Sequence, residues 1–263
     1  LTACIEAYRA FNEKRFLDSA LRNARFLSEV MVQDDYSIMR NYMNDQASIN
    51  GFLDDYAFTI SAFINLYQVT FNEKWLMIGH HLTQYALLHF YDQPTNTFFY
   101  TSDSDKQLVS RCRELSDNVI PSSNSEMAKN LFFLGTFLEK RDYIVMAMQL
   151  TGLMKEKIIS HPSFHANWGQ LVLHLVDAPH EIVIMGEDSI KKRAEFDLKY
   201  LPQVIFAGGI DEGNLVMLRG RLVRDKTMIY VCKNRSCQLP VTDVVSAMKQ
   251  ISGHEKRNGP DSV

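Results

Sequence analysis

Apolar residues recur at three- and four-residue steps through the first two-thirds of the chain, as in Leu17, Leu21, Ala24 and Leu27. That spacing is the signature of helices with one buried face. It predicts helical pairs over Leu1–Ala10 and Arg15–Met31, Phe52–Val69 and Glu73–Phe90, and Ser125–Leu138 and Asp142–Ile159, with a further helix over Asn167–Val176. The tetrapeptide FNEK stands at Phe11–Lys14 and again at Phe71–Lys74, a 60-residue offset, each time between two helices of a pair. A fainter third copy, LEKRDY, spans Leu138–Tyr143. Repetition at this period implies stacked helical hairpins. The FNEK turns should be tight, with Asn12 and Asn72 capping the second helix of each pair.

The connections between pairs differ in kind. Asp34–Ile49 and Asp92–Ile120 are long and rich in Asp, Asn, Ser and aromatics. Each contains a strand-like segment, Tyr36–Tyr42 and Thr97–Thr101, so a small β-tongue is expected in each. Elaborate loops at one end and tight turns at the other give the array two unequal faces, with function expected on the looped one.

The pattern changes near His180. Glu181–Gly186 and Gln203–Gly208 read as buried strands around a helix over Ser189–Lys199, with further strands at Leu215–Gly220 and Met228–Cys232 and a closing helix over Thr242–Ile251. The expected organisation is helical hairpins over residues 1–178, a small α/β element over 179–252, and a loose polar tail over 253–263.

Composition narrows the classes. With 263 residues, 46% hydrophobic and 22% charged, the chain can build a substantial core. A net charge of −3 without a basic stripe argues against a nucleic-acid partner. No apolar run approaches the roughly 20 residues of a membrane helix, and no signal-peptide pattern is present. Four cysteines without a framework pattern favour a cytoplasmic setting. The chain opens at Leu1 inside an amphipathic helix with no cap signal, which suggests a fragment of a longer protein. A partial helical array would leave apolar faces open near Leu1–Ala10, so a homo-oligomer is expected to cover them.

Four segments together point to one family: GFLDDYAF at Gly51–Phe58, IPSSNSEMAKNL at Ile120–Leu131, EIVIMG at Glu181–Gly186, and YVCKNRSCQLPVTD at Tyr230–Asp243. The chain resembles the C-terminal part of the YyaL-like, thioredoxin-domain-containing proteins, which include spermatogenesis-associated relatives in animals. The resemblance implies the C-terminal portion of an (α/α)6 toroid similar to N-acylglucosamine 2-epimerases and six-hairpin glycosidases. It also implies an upstream thioredoxin-like domain as partner, and the family carries no assigned reaction.

Asp54 and Asp55 are the leading chemical candidates. Adjacent acids at a helix start can cap free N–H groups. In related sugar-active toroids such mouth carboxylates act as acid or base, or bind sugar hydroxyls. Both readings stand at this point. Groups expected to face the same sugar or sugar-derivative ligand are Arg40 and Tyr42 of the first tongue, Arg113, Glu114, Asp117 and Asn124 of the second loop, and His165. A non-catalytic scaffold for the thioredoxin-like neighbour is the alternative.

Ser122–Ser125 lacks a nucleophile elbow, and the aromatics Tyr56, Phe98, Phe99 and Trp168 suit either sugar stacking or core packing. No metal-ligand spacing, G-x-G-x-x-G or Walker pattern occurs, so neither metal nor cofactor is expected. Cys232 and Cys237 could form a disulfide across a short turn, stay as free thiols, or serve as a redox pair.

Overall fold

The computed structural model describes residues 1–105 and 110–255. The helical hairpins are present: α1 (Thr2–Phe11) with α2 (Lys14–Phe26), α3 (Leu53–Thr70) with α4 (Glu73–His89), and α5 (Ser123–Phe137) with α6 (Arg141–Leu153). Short α7 (Lys155–Ser160) leads into α8 (Ala166–Val176). The stretch expected as one helix to Met31 ends in a wide π-type turn over Leu27–Met31. The stretch to Ile159 breaks at Met154.

Helix α3 packs on α1 and α5, and α5 packs on α8, while α2, α4 and α6 return on their outer side. The result is an inner layer of parallel helices backed by antiparallel partners, the wall of an (α/α) toroid. Helix α3 is buried on several sides, through Leu53, Tyr56, Ile60, Phe63 and Tyr67. The weak amphipathicity of its sequence follows from that double coverage.

All three turns use the same device. A residue in the left-handed region (Asn12 φ 52°, Phe71 φ 54°, Glu139 φ 52°) is followed by an extended N-cap. The two FNEK copies are nevertheless one residue out of step. In the first, Asn12 is the left-handed residue closing α1, not the expected cap of α2, and its N–H donates to the Tyr8 carbonyl. In the second, Phe71 takes that role and Asn72 caps α4, accepting from the Lys74 N–H at 3.1 Å.

The expected tongues are β-hairpins. Strands β1 (Met39–Met43) and β2 (Gln46–Asn50) pair across Asn44 and Asp45, both with positive φ as a type I′ turn requires. Strands β3 (Tyr91–Asp92) and β4 (Thr97–Phe98) form the second.

The C-terminal element is a four-stranded sheet of order β6-β5-β7-β8, from β5 (His180–Met185), β6 (Val204–Gly209), β7 (Met228–Lys233) and β8 (Ser236–Cys237). Strands β5 and β6 run parallel through α9 (Ser189–Phe196), and α10 (Val244–Glu255) packs on β7. Leu215–Gly220 is not a strand. It carries a 3₁₀ turn at Val216–Leu218, because its backbone near Leu215 is held by Glu73 instead of a neighbouring strand. Helix α10 extends past the expected tail boundary at 253 to Glu255, and residues 256–263 of that tail lie outside the described residues.

This sheet covers the FNEK end of the array. Phe71 belongs to its core with Ile184, Phe206 and Ile229, and the Glu73 carboxylate accepts the Asn214 N–H at 3.0 Å. Gln68 Oε1 accepts the Phe206 N–H, and Arg9 pairs with Asp197 at 3.0 Å. The end expected to be plain is therefore a docking face.

Candidate functional site

The inner helices begin at the end away from the sheet, where the two tongues meet. The first hairpin places Arg40 above the start of α3, and its Nη1 reaches Asp54 Oδ1 at 3.1 Å and Asp55 Oδ2 at 2.6 Å. Asp55 Oδ2 also accepts the Phe52 N–H at 2.8 Å, a cap on the helix. Asp54 Oδ1 accepts the Asp55 N–H, and Asp54 Oδ2 accepts the Tyr100 hydroxyl at 3.1 Å. The Phe52 ring lies under the Arg40 guanidinium at 4.8 Å and beside Tyr100.

Electrostatics follow from this packing. Burial first, then the neighbouring Asp54 charge, raise the Asp55 pKa against the lowering pull of the Phe52 N–H and Arg40. Burial and the Asp54 charge push Tyr100 up to about 12, so it remains a donor. The two acids raise the Arg40 pKa over the opposing effect of its burial. Among the described residues Asp55 Oδ1 keeps no hydrogen-bond partner. The arrangement offers one carboxylate oxygen, a fixed cation and an aromatic edge.

The other predicted ligand groups do not join this cluster. Asp117 is buried, with Oδ1 accepting the Ser122 N–H and the Ser125 hydroxyl and Oδ2 accepting the Asn167 N–H. Asn124 is fully buried and exchanges hydrogen bonds with the Phe98 N–H and carbonyl. Glu114 accepts the Ser123 N–H, capping α5. Arg113 pairs with Asp92 at 2.6 Å and lies 4.0 Å from the Phe99 ring. Tyr42 turns outward, its ring edge-on to Phe26 and its hydroxyl donating to Asp45. His165 is buried, with Nδ1 2.9 Å from the His161 carbonyl and Nε2 3.3 Å from the Ser116 hydroxyl. Tyr56, Phe98 and Trp168 are core residues.

Tyr100 and Phe52 were not anticipated. Tyr100 lies two positions after Phe98 in the second tongue, and an alternating pattern there is the signal that could have singled it out. A second polar group lies on the inner layer: Lys129 of α5 donates to Asn167 Oδ1 at 2.8 Å and Gln170 Oε1 at 3.1 Å. Among the described residues no group of three or more His, Cys, Asp or Glu side chains could hold a metal ion. No described helix is long and apolar enough to cross a membrane.

No family model matches the chain. Human spermatogenesis-associated protein 20 is 25% identical over 210 residues, 73% of this chain, and the mouse protein is likewise 25% identical over 211 residues. The chain is homologous to spermatogenesis-associated protein 20. An uncharacterised Caenorhabditis elegans protein is 27% identical over 262 residues, 92% of this chain. The chain spans 26% of the length of the human and mouse relatives and 35% of the worm one. Among solved structures, a cellobiose 2-epimerase from Bacillus thermoamylovorans matches 59% of this chain and 42% of its own at 20% identity, with a TM-score of 0.49. A D-mannose isomerase matches 60% and 39% at 15% identity, with a TM-score of 0.47.

Proposed function

We propose that the chain forms one wall of a carbohydrate-binding cleft, with Asp54, Asp55, Arg40 and Tyr100 facing the ligand. The observation that carries this reading is Asp55. One of its oxygens is fixed by Arg40 and the Phe52 N–H, the other has no partner among the described residues, and burial raises its pKa. A carboxyl whose pKa is raised by burial can exchange hydrogen bonds or a proton with a sugar hydroxyl or ring oxygen. Arg40 holds its geometry, Tyr100 fixes the neighbouring Asp54, and Phe52 offers an apolar surface to a sugar ring.

Thermal-shift titration with a panel of monosaccharides, disaccharides and sugar phosphates tests the proposal. A saturable stabilisation that Asp55→Asn abolishes is the expected result.

One observation favours a second reading. Both oxygens of Asp54 are already engaged within the protein. Arg40 and Tyr100 would then clamp the two tongues onto α3 in a scaffold without chemistry. Under that reading no sugar shifts the melting temperature, while Arg40→Ala lowers it.

A further inference from the structure

The hairpin that ends the sheet carries chemistry the mouth does not use. Cys232 closes β7, Cys237 lies opposite it on β8, and the two form a disulfide across the Lys233–Ser236 turn. Asn234 and Arg235 take positive φ, 52° and 64°, in that two-residue turn. The two sulfurs see different surroundings, since Cys232 is fully buried and Cys237 is exposed.

One cation serves both. Arg221 Nη1 lies 3.3 Å from Cys232 Sγ, and Nη2 lies 3.3 Å from Cys237 Sγ. The guanidinium is held in place by Tyr230, whose ring lies 5.2 Å away and whose hydroxyl donates to the Arg221 carbonyl. A structural disulfide in a hairpin needs no such group. A pair that is opened and closed gains from one, because breaking the bond releases a thiolate that a neighbouring cation stabilises.

We infer that Cys232 and Cys237 form a thiol–disulfide exchange site for an external dithiol, with Arg221 as the positioning residue that stabilises the leaving thiolate. The thiolate of the dithiol attacks the exposed Cys237 Sγ. The Cys232–Cys237 bond breaks, a mixed disulfide forms at Cys237, and Cys232 leaves as a thiolate beside Arg221. The second thiol of the reagent then attacks its own sulfur in the mixed disulfide and releases Cys237. The protein gains two electrons and two protons, and the dithiol is oxidised to its disulfide. This inference stands apart from the carbohydrate reading, since the hairpin lies on the sheet and not at the tongues.

The test is the reduction rate with dithiothreitol, followed by alkylation and peptide mapping. Exposed Cys112 provides an internal labelling control. Arg221→Met should slow reduction about three- to tenfold through the poorer leaving group, and Arg221→Lys should restore part of the rate. In the unsubstituted protein a large monothiol should be trapped on Cys237. A rate unchanged in Arg221→Met, or an adduct found on Cys232, would overturn the assignment.

Discussion

The ring of Phe71 lies against Gly208, where an added Cβ would come within 2.9 Å of Phe71 Cε2 and 2.1 Å of the Ile184 carbonyl oxygen. The bare backbone of β6 lets the second helical turn enter the core of the sheet. Gly208→Ala should therefore cost about 1–3 kcal/mol through overpacking. Chemical denaturation measures the loss, and increased proteolysis in the loop around Asp211–Leu215 should accompany it as the sheet loosens from α4.

Asp117 acts on two helices at once. Removing its carboxylate leaves the Ser122 and Asn167 N–H groups without their acceptor at the starts of α5 and α8. Asp117→Ala is expected to lower stability by about 2–4 kcal/mol. Asp117→Asn, which retains one acceptor oxygen, should fall between it and the parent in the same urea titration.

Glu139 is exposed and sits in the left-handed region with φ 52°. A non-glycine side chain there costs roughly 1–2 kcal/mol, partly offset by the backbone entropy of glycine. Glu139→Gly should be neutral to stabilising by about 1 kcal/mol, read as a raised melting temperature. The same change at Phe71 should destabilise, because that ring is 7% exposed and packs in the core of the C-terminal sheet.

Two groups give opposite pH dependences. His80 is lowered to about 4 by burial and then by Lys140 and His81, with the Tyr143 hydroxyl 3.1 Å from its Nδ1. Because its folded pKa lies below the unfolded one of about 6.5, its contribution is present above that pH and lost as pH falls towards 4. Asp55 is raised, so its contribution is present below the unfolded value of about 3.9 and lost as pH rises through the folded one. Stability curves of His80→Gln and Asp55→Asn should flatten the parent profile on these opposite slopes.

Much of the scaffold is legible in the chain. Three- and four-residue apolar spacing marks the helical pairs, Asn72 caps α4 as expected, and both tongues form where strand-like segments interrupt polar loops. Asp54 and Asp55 begin a helix, and Arg40 joins them. Asp117, Asn124 and Glu114 looked like ligand groups because Asp, Asn and Glu serve equally well as helix caps and as binding residues. Only their partners distinguish the two uses.

The FNEK repeat shows where the boundary falls. Sequence by itself determined that each copy is a tight turn between helices, since turn chemistry is local. It could not determine the register of the turn or its surroundings. Phe11 is 66% exposed and Phe71 is 7% exposed, although the two tetrapeptides are identical. The sheet, more than a hundred residues later in the chain, covers only the second copy. Burial of that ring and the docking of Glu73 onto Asn214 are long-range interactions, and tertiary packing alone decided them.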